Sequence, residues 1–154
     1  MPVTFVKYLH IAGATIILTM GAAIALVMLL AHLRKNVSFI ARTDAVVAFA
    51  NLILTAAIFT QPLTGVLLYR ATGVSMSDCW VAASIVLYGV AGLLWLPAVW
   101  MCEKMAELAG AAAAAGEPLP HAYHRVFRLW SALGLFGFSA AIIILWLMIA
   151  KPTL

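Results

Sequence analysis

The sequence predicts an all-α membrane protein: a four-helix transmembrane bundle with short loops and an interfacial amphipathic helix before the last span. Three observations carry that expectation. Of 154 residues, 66% are hydrophobic and only 9% charged, and the mean hydropathy is +1.12. A soluble domain carries roughly 25% charged residues, so this chain cannot build a water-facing surface and its solvent must be lipid. Four apolar runs, at about 8–33, 45–69, 79–102 and 129–150, each have the length needed to cross a bilayer. The Lys and Arg residues fall between or at the ends of these runs, as topology signals do. The whole of 1–154 therefore reads as a single transmembrane domain whose first partner is the lipid bilayer.

Span one begins after Lys7 and ends at the basic pair Arg34-Lys35. Its apolar run exceeds twenty residues, too long for the apolar region of a cleavable signal, so it is expected to stay in the mature protein. The polar stretch NVSFIARTD leads into span two, which carries Asn51 and the segment TAAIFTQPLTG over 55–65. Pro62 lacks an N–H, so it should bend this helix and free the carbonyl one turn back, with Gln61 facing the bundle. The turn ATGVSMSD leads to span three, with Gly89, Gly92 and a second internal proline, Pro97. The polar stretch 103–128 follows. Its alanine run, ELAGAAAAAGEP, reads as a frayed helix or flexible connector, and HAYHRVFRLW as a short basic helix at the interface. Span four closes at Lys151-Pro152.

The loops after spans one and three hold Arg34, Lys35, Arg42, Lys104, Arg125 and Arg128; the opposite side has only Lys7, Arg70 and Lys151. By the positive-inside bias both termini face the periplasm of a bacterial inner membrane. The net charge of +4 is not a nucleic-acid signature, because it forms no basic cluster with interleaved aromatics. Cys79 and Cys102 lie near opposite ends of span three, roughly 35 Å apart on a helix. That excludes a disulfide between them. Neither sits in a CxxC or CxxCH motif, so a thiol redox pair and a covalently attached heme are not expected.

Chemistry is expected from the histidines. Eleven residues make just over three helical turns, so His10, Gly21 and His32 fall nearly on one line of span one. Such a line suits a flat cofactor or a closely packed neighbouring helix. His10 is flanked by Leu9 and Ile11, inside the lipid, where an ionisable group signals function. At its depth antiparallel spans gather Lys7, Gln61, Arg70, Trp80, Trp146 and Lys151. This set suits a b-type heme whose iron takes His10, with Lys7, Arg70 or Lys151 meeting the propionates. The sixth ligand is Met148, water or none. The plainer reading makes the three cations snorkelling anchors and Gln61 and Asn51 interhelical glue. His32, with His124 or His121, offers imidazoles at the other end; roughly 33 Å from His10, it cannot share an iron with it. The five acids, Asp44, Asp78, Glu103, Glu107 and Glu117, lie at span ends or in loops. That argues against a carrier built on a membrane carboxylate.

Lys7 to Ile11, Thr55 to Gly65 and the closing Lys151-Pro152 resemble the small heme-containing bacterial protoporphyrinogen IX oxidase. AHLRK, QPLTG and LPAVW resemble more closely an uncharacterised family of predicted bacterial integral membrane proteins. The oxidase resemblance implies a heme ligand at His10, with His32 near a second histidine, and, if the chain is an enzyme, a membrane heme-dependent oxidoreductase. Leu52, Ala56 and the run Trp80-Val81-Ala82-Ala83 depart from it, since the oxidase pattern has an arginine, a proline and a lysine there. The expected function is a heme-binding redox or electron-transfer protein of the membrane, with a membrane redox partner or as a homo-oligomer. The alternative is a cofactor-free accessory subunit whose Gly13, Gly21, Gly89, Gly92, Gly134 and Gly137 admit a neighbouring helix closely.

Overall fold

A computed structural model describes residues 2–34 and 36–152, without the side chains of Asp44 and Ala45. Lys35 and Asp44, counted above among the charges, lie outside that description. Four helices account for nearly all of it: α1 (Val3–Arg34), α2 (Val37–Thr72), α3 (Cys79–Ala115) and α4 (His121–Ala150). All four are long and apolar enough to cross a membrane.

Local chemistry sets the breaks between them. Asn36 opens α2 by accepting the Phe39 N–H on its side-chain oxygen at 2.9 Å, which satisfies one of the donors that a helix start leaves over. Gly73 (φ 68°) and Gly116 (φ 69°) end α2 and α3 in the left-handed region that glycine enters without penalty. Behind Gly116 the Glu117 N–H returns to the Ala112 carbonyl at 2.9 Å, and Pro118 and Pro120 prevent the helix from resuming. Lys151 closes α4 at φ 44°, its N–H on the Leu147 carbonyl. This is an unusual cap, because a side chain in that region costs roughly 1–2 kcal/mol.

The helices run up, down, up and down in a ring. Each packs on its sequence neighbours, α4 closes on α1, and among the described residues the diagonal pairs stay apart. The two chain termini and the α2–α3 turn share one end, called here the terminal end; the other two turns define the far end. Packing is unequal between them. The contiguous core gathers toward the far end, where Met28 and Ala31 of α1, Ile40 of α2, Met105 and Ala109 of α3, and Tyr123, Phe127 and Trp130 of α4 are buried together. Toward the terminal end α1 buries little besides Val6 and Gly13, and most other side chains there face outward.

Two expectations change at the far end. The alanine run is neither frayed nor a connector: it is the end of α3, which reaches Ala115. Alanine has the lowest cost of any residue in a helix, and Met105, Ala109 and Ala112 are buried, so packing holds it there. The basic stretch from His121 is helical as expected but is not a separate element, being continuous with span four as α4. With 37 residues, α3 is roughly 55 Å long against a hydrocarbon layer of about 30 Å. Its surplus past the apolar run 79–102 packs with the starts of α2 and α4 as a stub at the far end.

Candidate functional site

The polar groups of the terminal end meet where α1 crosses α2. Two residues of α2, Gln61 and Thr64, lie three apart and so share a helix face; both are buried, and both reach α1. Gln61, 6% exposed, donates its Nε2–H to the His10 carbonyl at 3.0 Å. The position opposite is Gly13, where a Cβ would stand 3.3 Å from that nitrogen. Only a glycine leaves the amide its place without displacement. This orientation leaves Gln61 Oε1 buried with no hydrogen-bond partner among the described residues.

Thr64 fixes the imidazole. Its Oγ1 lies 2.7 Å from His10 Nδ1 and 3.0 Å from the carbonyls of Thr60 and Gln61. Carbonyls only accept, so the hydroxyl proton goes to the helix and the oxygen accepts from His10 Nδ1–H. With the hydroxyl proton on the helix, the ring is the Nδ1–H tautomer and Nε2 carries the lone pair. No hydrogen bond among the described residues engages Nε2. A ligand histidine is commonly prepared in this way, with its other ring nitrogen held by an oxygen of the protein. Gly65 lies beside the ring edge: a Cβ there would sit 3.6 Å from His10 Cε1.

Pro62, between Gln61 and Thr64, leaves the Ile58 carbonyl without its usual donor. Tyr88 of α3 supplies one, donating its hydroxyl to that carbonyl. In lipid an unsatisfied carbonyl has no water to turn to, so the proline sets up the α2–α3 contact. Pro62 lies inside a single helix, α2, from Val37 to Thr72.

The other residues singled out from the sequence are distributed as follows. Lys7 and Arg70 are exposed at the terminal end, on the two helices that hold His10. Lys151 turns to α3, its Nζ 5.5 Å from the Trp80 ring centroid. His32 is at the far end, its ring stacked on Phe127 (3.8 Å, 4°) and lying 5.5 Å edge-on from His124. The line through His10, Gly21 and His32 thus faces no single neighbour: His10 meets α2, His32 meets α4, and a Cβ at Gly21 would have nothing within 4 Å. Among the described residues no three His, Cys, Asp or Glu side chains come together as a metal site. Thr64 enters the sequence only as part of the 55–65 segment, and Tyr88 is not among the candidates the sequence offers. The spacing of Gln61 and Thr64 on one face, at the depth of His10, was the available signal for the first.

The fold and this junction define a multi-pass integral membrane protein, a ring of four helices whose first two are tied by polar contacts at His10, Gln61 and Thr64. Residues 4–152 match the model of a protein family, and the chain belongs to that family, DUF2269, described as a predicted integral membrane protein. No curated protein and no solved structure matches the chain.

Proposed function

We propose that this chain is a b-type heme-binding membrane protein with a redox or electron-transfer role, in which His10 Nε2 would hold the iron. The observation that carries the reading is the Thr64–His10 hydrogen bond, which leaves the outer imidazole nitrogen bare. The residues present fit the group: a neutral, oriented imidazole, a glycine beside it at 65, and Lys7 and Arg70 at the same end for the propionates. Lys151, held over Trp80, meets a propionate only by leaving that ring. Heme, when bound, would supply one-electron chemistry, with His10 holding it and Thr64 orienting the imidazole. The likeness of Lys7 to Ile11 and of Thr55 to Gly65 to the bacterial protoporphyrinogen IX oxidase supports the same reading. The charge bias supports both termini on the side opposite the cytoplasm, the periplasm if the membrane is a bacterial inner one.

The test is optical. Protein expressed with heme supplied and purified in mild detergent should show a Soret band and, after dithionite, the α and β bands of a b-type heme. His10→Ala should abolish them in a protein that still melts cooperatively. Colourless, folded, heme-supplied protein overturns the reading. The second reading, an accessory subunit of a larger complex or a homo-oligomer, is favoured by the open space at Gly89 and Gly134, where a Cβ would meet nothing within 4 Å. It predicts a co-purifying membrane partner, or a second copy of the chain, and no chromophore.

A further inference from the structure

At the far end, His121, His124, Arg125 and Arg128 follow one another on α4 at i, i+3, i+4 and i+7, and all four are exposed. That spacing puts them on a single helix face. The face is fixed in direction, because Tyr123, Phe127 and Trp130 on the opposite side are buried in the core. Among the described residues the one ion pair is Lys104–Glu107, so no described carboxylate neutralises Arg125 or Arg128. Both keep their charge at any physiological pH. Two to three turns further along the same face the exposed residues are Leu135 and Phe136, each 67% exposed. Because α4 is continuous, cations and apolar side chains stand in one column, the cations in the basic stretch at its start and the apolar groups in the apolar run that follows.

We infer that this column is a docking surface for an anionic phospholipid, its phosphate on Arg125 and Arg128 and its acyl chains along Leu135 and Phe136. Charge complementarity names the headgroup, and the apolar continuation separates a lipid from a free anion. An arginine near an anionic surface contributes about fivefold in affinity, so the pair should give well over tenfold preference for an anionic over a zwitterionic lipid. The column shares no residue with the junction at His10 and stands whether or not the chain holds heme.

The test uses the purified full chain in mild detergent, offered equal amounts of palmitoyl-oleoyl phosphatidylglycerol and phosphatidylcholine, with retained lipid counted by native mass spectrometry. Phosphatidylglycerol should be retained, and the double variant Arg125→Gln/Arg128→Gln should lose it at least tenfold. Lys104→Gln, whose charge already faces Glu107, should not. Both arginines are exposed, so the variant should melt like the parent. If it does not, the parent in high salt gives the same contrast, since screening at 1 M reduces the Debye length to about 3 Å. Equal retention of the two lipids, unchanged retention in the double variant, or displacement of the lipid by inorganic phosphate at millimolar concentration would each overturn the inference.

Discussion

The hydroxyl of Thr64 decides the state of His10. A valine there keeps the shape but removes the oxygen that accepts Nδ1–H, so the imidazole would be free to rotate and to change tautomer. Thr64→Val should therefore weaken heme retention by roughly ten- to a hundredfold, the usual scale for such an orienting partner, while Thr64→Ser preserves it. Heme titration of the apoprotein gives the affinities, and the histidine nitrogen shifts of the apoprotein report the tautomer. His10 and Gln61 were legible in the sequence because a polar side chain in an apolar run has to be explained. Thr64 was not, because a threonine in a membrane helix satisfies itself on its own helix. Here it does so at Thr60 and Gln61 and still has an oxygen lone pair for α1.

At the scale of the helix, Pro62 and Tyr88 act as a pair. Tyr88→Phe should strip the Ile58 carbonyl of its donor at a cost of about 1 kcal/mol, within the range for hydrogen bonds between membrane helices. In a Pro62→Ala background the restored N–H of residue 62 serves the carbonyl instead, and the same change should cost much less. Unfolding in mixed micelles measures both, and equal costs in the two backgrounds would separate the proline from the tyrosine. The sequence exposed half of this arrangement, since an internal proline implies a freed carbonyl. The donor is a long-range contact between α2 and α3, and no local pattern names it. The alanine run was misjudged for the opposite reason: its composition resembles a linker, and only burial at Ala109 and Ala112 reveals that it is packed.

For the molecule as a whole, the unequal packing predicts unequal stability. Phe127→Ala, in the far-end core, should cost about 3–5 kcal/mol. Trp146→Ala should cost little, because that ring is 57% exposed and faces outward. Hydrogen exchange should show amides 101–112 among the slowest and the outer half of α1 faster. Four spans in antiparallel order followed from hydropathy and short connections alone. Which end holds the core did not, because the core lies at the end richer in charges and only the crossing of the helices decides which apolar residues become neighbours.

The stub at the far end has a practical consequence. A 16.5 kDa membrane protein gives an electron microscope too little mass outside the detergent belt to align particle images. Here α3 and α4 continue past their apolar runs as packed helices joined by the turn at 116–120. Replacing that turn with a soluble helical hairpin, spliced in helical phase onto Ala115 and His121, would carry a fused marker as a rigid extension of the bundle. Images of such a fusion would then align on the marker and bring the crossing at His10 into focus with it.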